Sequence, residues 1–152
     1  MSGLVCIVYV SSAKASLLSR LVEVAGRSLV HSFQDSTYNR TSFYLLQPYP
    51  SSEHNSIAEI AWRVCDEALS QLDFTQHQGT HPTLGVVDHI CFSPLGSTTI
   101  QEASTLAKMF AMQLNEVNRV PIYFYGGLSS KLVKLADLRK SELMLQYVEY
   151  SL

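Results

Sequence analysis

Between His77 and Leu95 the chain reads HQGTHPTLGVVDHICFSPL and carries His77, His81 and His89, three of the five histidines in the molecule. Imidazole takes up and returns a proton near neutrality, so proton transfer is the chemistry to consider first. His81 precedes Pro82, which confines the His81 backbone to extended conformations. Gly79 and Gly85 sit at either end of the loop Gln78–Gly85, where glycine allows positive φ or a close approach by a ligand. A stiffly held imidazole between two glycines, leading into an apolar run, suits general acid–base work. The same residues also describe an ordinary loop histidine that meets only solvent, which is the reading the residues alone favour. Asp88 interrupts the apolar run, and a charge in a buried strand needs a partner or a task. Two readings stay open for it: it bonds backbone groups, or it orients His81. His89 reads as a core or interface histidine, and His77 as a solvated helix-end residue.

A second polar cluster lies at Asp35–Thr41, with Asp35, Asn39 and Arg40 close together. Such a composition forms an Asx-type turn as readily as a polar site. An arginine fork there matches a carboxylate.

Taken together, Gln78–Pro94, Asp35–Thr41 and Val120–Gly126 resemble the N-terminal subdomain of glutamate formiminotransferase, which also begins the bifunctional formiminotransferase-cyclodeaminase. The family's Gly-x-His-Pro-x-x-Gly-x-x-Asp loop is met by Gly79, His81, Pro82, Gly85 and Asp88. Its Asn-Arg-Thr corner is met by Asn39, Arg40 and Thr41. The resemblance runs in matching order from Cys6 to Gly126 and is nearest to plant members through Gly85–Phe92. One corner departs from it: an Asn-x-Ser-Glu pattern falls on Tyr9, Ser11 and Ser12, without asparagine or glutamate. The resemblance implies transfer of a formimino group from N-formimino-L-glutamate to N5 of tetrahydrofolate, with His81 as general acid and base. It implies substrate or folate binding by Asp35, Asn39, Arg40, Gly79, Thr80, Gly85 and Asp88, and it requires no metal. In the family, folate lies between this subdomain and a second of similar size. The expectation is therefore a short member whose groove is completed by self-association or by a second subdomain in trans. The alternative is a non-catalytic half-domain that binds folate weakly or serves as an interaction module.

Bulk properties agree with a globular chain. Its 152 residues are 47% hydrophobic and 16% charged, which suits one domain with a real core. A net charge of −2 and the lack of a basic cluster argue against nucleic-acid binding. Cys6, Cys65 and Cys91 have no metal-ligand spacing, two of them lie in apolar strand-like runs, and they read as buried reduced thiols. The run Leu4–Val10 is too short for a signal or a membrane span. The expected setting is cytoplasmic.

The elements that must position these residues follow from periodicity. Leu4–Val10 predicts a central strand, with Ser11 and Ser12 as caps for a helix that Gly26 ends. Leu29–Gln34 and Ser42–Gln47 predict two strands joined by Asp35–Thr41. Ser56 and Glu59 offer a capping box for a helix through Leu72, with Trp62 at the edge of its apolar stripe. Gly85–Phe92 predicts a strand ended by Pro94–Ser97. Thr99 and Glu102 cap a third helix, whose stripe runs Ala103, Leu106, Ala107, Phe110, Leu114 and Val117, with Met109 and Met112 filling gaps. Val120–Tyr125 predicts a further strand and Ser129–Met144 a helix. The expected domain is residues 1–127, with 128–152 as a helical extension. The order β-α-β-β-α-β predicts an α+β, ferredoxin-like two-layer sandwich: a mostly antiparallel sheet with helices on one face.

Overall fold

The computed structural model describes residues 2–51, 56–128 and 134–140. Four strands, β1 (Ser2–Val10), β2 (Leu29–Asp35), β3 (Arg40–Pro48) and β4 (Val87–Gly96), form one sheet in the order β2-β3-β1-β4. All three ladders are antiparallel. Helices α1 (Ala15–Ala25), α2 (Ile57–Gln71) and α3 (Ile100–Asn118) supply the second layer, as the ferredoxin-like order predicts.

Central strand β1 explains the layering. Leu4, Cys6, Val8 and Val10 are buried, while Val5, Ile7 and Tyr9 between them are only half-buried on the other face. The buried set joins Phe43 and Leu45 of β3, Leu17 and Leu21 of α1, and Ile57, Ala61 and Val64 of α2 in one core. Gly26 ends α1 with a φ of 55° that suits glycine.

The caps follow the sequence only in part. Thr99 and Glu102 complete a reciprocal capping box on α3. The Ser56 hydroxyl accepts from the Glu59 N–H, whereas the Glu59 carboxylate accepts from Arg63 Nε at 3.0 Å. Ser11 and Ser12 do not cap α1, whose N-cap is Lys14 without a side-chain bond. Ser11 Oγ instead donates to the Gly85 carbonyl at 2.6 Å, tying the end of β1 to the loop before β4.

Three other expectations change. Val120–Tyr125 is not a strand: Pro121 has no N–H to give a ladder, and the segment reaches β4 through the Tyr125 hydroxyl, which donates to Ile90 O at 3.3 Å. The strand expected to stop before Pro94 runs through it to Gly96, which an edge strand tolerates because one side of its backbone is unpaired. Val117, Met109 and Met112 face solvent, because the inward stripe of α3 passes from Leu114 to Asn118. Asn118 bonds Trp62 Nε1 and Asp66 Oδ1 across the interface with α2. Of the helix expected over Ser129–Met144, α4 (Leu135–Lys140) is seen, and the remainder, with the tail from Gln146, falls outside the described residues apart from Lys134.

Candidate functional site

At one end of the sheet three connections meet: the corner after β1, the β2–β3 turn, and the loop 77–86. Asp35 and Arg40 pair across the mouth of the β2–β3 turn. Asp35 Oδ1 accepts from the Tyr38 N–H at 2.9 Å, and Asn39 adopts a left-handed φ of 48°. Asn39 Oδ1 accepts from the Ala13 N–H at 2.8 Å, which joins this turn to the first corner. The Thr80 N–H and hydroxyl both donate to the Thr37 carbonyl at 3.3 Å, which joins it to the histidine loop. Thr41 Oγ1, buried, donates to Ser12 O at 2.8 Å.

His77 completes this clamp. Its Nδ1 lies 3.0 Å from Ser11 O and 3.5 Å from Asn39 Nδ2, and its ring stacks on Phe74. A carbonyl only accepts, so Nδ1 donates to Ser11 O, and the longer approach of the Asn39 amide nitrogen is a contact and not a hydrogen bond. His77 is therefore a half-buried pin between loops and not a solvated helix-end residue, because the chain turns back onto β1 after the 3₁₀ turn Phe74–Gln76.

Inside the clamp, Arg40 is the meeting point. Its Nη1 lies 3.3 Å from His81 Nε2 and 4.0 Å from Asp88 Oδ2. Its guanidinium stands over the Tyr9 ring at 5.0 Å and the Tyr38 ring at 5.5 Å. The Tyr38 ring also meets the His81 ring, centroid to centroid, at 5.0 Å. Arg40 is thus not the exposed arginine of a simple turn; its side chain is 19% accessible and that of Asp88 is 0%. Asp88 Oδ1 accepts from the Leu84 N–H at 2.9 Å, so the carboxylate both bonds the backbone and faces the cation beside His81. A bulge falls here: Tyr9 pairs with His89 and Val10 with Val87, so the register shifts at Asp88.

From Tyr9 the aromatic surface continues along the less buried sheet face. His89 stacks on Tyr9 at 4.8 Å, and its Nε2 contacts the Tyr125 hydroxyl. Burial and the neighbouring Tyr44 push the Tyr9 phenol above its usual range, against the pull of Arg40. Sequence reasoning met Tyr9 only as the residue standing where the family's pattern has asparagine, and did not single out Tyr38.

The two loop glycines were expected to allow positive φ or a close approach by a ligand. Neither takes positive φ. A Cβ on Gly79 would overlap the Tyr38 carbonyl, so what approaches closely is backbone. A Cβ on Gly85 would meet nothing nearer than Val87 O at 3.9 Å. Gly85 contributes its carbonyl, which Ser11 uses.

Among the described residues, no three His, Cys, Asp or Glu side chains gather as metal ligands, and no helix is long and apolar enough to cross a membrane. A largely apolar cavity of about 1040 Å³ lies between β4, α3 and the 119–128 segment, lined among others by Phe74, Leu84, Phe92, Phe110 and Ile122. It shares Leu84–His89 with the site, whereas His81 and Arg40 lie outside its lining.

Against known proteins, residues 3–151 match the family described as formiminotransferase domain, N-terminal subdomain. The chain is 31% identical over 140 residues to a formiminotransferase cyclodeaminase-like protein of Arabidopsis thaliana, covering 89% of this chain and 47% of that protein. It is 28% identical over 128 residues to the glutamate formimidoyltransferase of Streptococcus pyogenes serotype M1, covering 83% and 41% respectively. With the formimidoyltransferase-cyclodeaminase of Mus musculus it shares 33% identity over 70 residues, 46% of this chain and 13% of the other. The chain spans about half the length, or less, of these relatives. A chain matched from Gly3 to Ser151, with the family's histidine loop folded against its Asn-Arg-Thr corner, belongs to the formiminotransferase domain family as an N-terminal subdomain.

Proposed function

We propose that this chain forms one wall of a formiminotransferase site, moving the formimino group of N-formimino-L-glutamate to N5 of tetrahydrofolate with His81 as general acid and base. The observation that carries this is the convergence of Arg40 with His81 and Asp88 from two separate segments in a member of this family. In the reaction, N5 attacks the formimino carbon and the N5 proton passes to His81. The tetrahedral intermediate then collapses, the carbon–nitrogen bond to glutamate breaks, and His81 returns the proton to the departing nitrogen. The imidazole ends as it began. Arg40, a planar fork beside the histidine, is suited to a substrate carboxylate. Asp35, Asn39, Thr80 and Gly85 serve by shaping the loops, since each already has a hydrogen-bond partner within the clamp, and Gly79 serves by its closeness to the Tyr38 carbonyl. The stacked Tyr9 and His89 rings offer flat ground for a planar co-substrate such as folate.

The test is a formiminoglutamate assay on purified protein. Proton shuttling of this kind contributes about 10²–10⁴-fold, so His81→Ala should lose transfer by that factor while keeping its folded circular-dichroism spectrum. Equal rates for the two proteins would remove His81 from the mechanism.

A second reading is a non-catalytic half-domain that binds folate weakly or serves as an interaction module. Titration with tetrahydrofolate separates the readings: binding without transfer supports the module.

A further inference from the structure

We propose that Arg40 is a positioning residue that holds the proton-accepting nitrogen of His81 occupied until a carboxylate-bearing ligand draws the guanidinium away. This rests on the formimino-transfer reading above. A guanidinium can only donate hydrogen bonds and keeps its charge at any working pH. At 3.3 Å from Arg40 Nη1, His81 Nε2 must therefore accept, and the ring is the neutral tautomer with its proton on Nδ1. General-base catalysis needs the same lone pair. An imidazolium carrying hydrogen on Nε2 would set two donors face to face, so Arg40 must turn aside before His81 can take a proton.

Arg40 is held in a way that permits this. Among the described residues its guanidinium makes a single hydrogen bond, the one to His81. Its counter-ion Asp88 stands at 4.0 Å, beyond the roughly 2.7–2.9 Å of a charge-assisted hydrogen bond. The rings of Tyr9 and Tyr38 support the guanidinium plane without consuming its N–H groups. A carboxylate entering beside them would gain a two-pronged pair with Arg40, stronger than the single bond to a neutral imidazole. The groups facing this exchange are Tyr9 of β1, Tyr38 of the turn, Asp88 of β4 and, behind Tyr38, Asp35 of β2.

The consequence is an ordered site. The acid end of the donor binds first and exposes Nε2. Only then does the attacking amine give its proton to that nitrogen, which returns it to the departing amine. Formimino donors without a carboxylate would meet an occupied base.

The experiment is nuclear magnetic resonance of the protein labelled with ¹⁵N-histidine, using L-glutamate as probe and sodium chloride at matched ionic strength as control. His81 should show a protonated Nδ1 and an unprotonated Nε2. Glutamate, and not chloride, should move the Nε2 resonance downfield as the bond from Arg40 is lost. Arg40→Met should show the displaced resonance without probe and no response to it. An Nε2-protonated tautomer in the free protein, or a His81 ring indifferent to glutamate, would overturn the proposal. Should the variant fail to fold, the wild-type titration decides alone. Formimino transfer with an indifferent His81 ring would sink the Arg40 proposal and keep the transferase reading; a responsive ring without transfer would do the reverse.

Discussion

Gly79 packs against the carbonyl of Tyr38 so closely that a Cβ there would overlap it, and would come within 3.0 Å of His77 Nε2. The obstacle is backbone, which cannot swing away as a flexible side chain can. Gly79→Ala should therefore push the His81 loop off the β2–β3 turn. A displacement of about 1 Å can cost about 10²-fold in rate, and transfer should fall by that order. Gly85→Ala is the contrast. With open space and no positive φ, it should gain about 0.5 kcal/mol by restricting the unfolded chain. Denaturant unfolding of the two variants checks the sign of each, and equal losses would refute the steric account.

Thr41 belongs to the Asn-Arg-Thr corner, yet its hydroxyl points into the fold and donates to Ser12 O. Thr41→Val keeps the shape and leaves that carbonyl unsatisfied. A loss of about 1–3 kcal/mol follows, read as a lower urea midpoint at unchanged slope. No change in midpoint would show that water replaces the hydroxyl.

Glu102 caps α3, and the Thr99 N–H, then the Thr99 hydroxyl, hold its carboxyl below the ordinary range. A depressed folded pKa contributes stability above the unfolded value and loses it as pH falls through the folded one. Stability should thus decline as pH drops below the usual glutamate range. Glu102→Gln should show a shallower decline across that window. Parallel pH profiles for the two proteins would count against the cap.

Cys6 and Cys65 are fully buried, and burial pushes both thiols upward, away from the reactive thiolate. Cys91 lies half-buried on the opposite sheet face, 3.7 Å from Ser93 Oγ. Native labelling with a thiol reagent should modify Cys91 first, and the other two only on unfolding. Simultaneous labelling of all three would contradict the layering of β1 between two unlike faces.

Period and punctuation alone sufficed for much of the fold. The unbroken apolar run of β1 requires a central strand, and Gly26 and Thr99 mark helix ends by local hydrogen bonding. Their order then selects the antiparallel sheet. Such features are legible because each depends on neighbours a few residues away. His81 was legible as a candidate for the same reason, through Pro82 and the flanking glycines.

What tertiary structure decided was the partner of each polar group. Nothing near Arg40 in sequence shows that it meets His81, 41 residues on, or that Asp88 faces Arg40 where a bulge shifts the register. Val120–Tyr125 carries strand residues but makes no ladder, since pairing depends on what a neighbouring edge offers as well as on propensity. His77 and Gly79 took their roles from loops that only folding brings together. A hydrogen bond across the sheet is a property of two distant segments at once, and a local pattern holds only one of them.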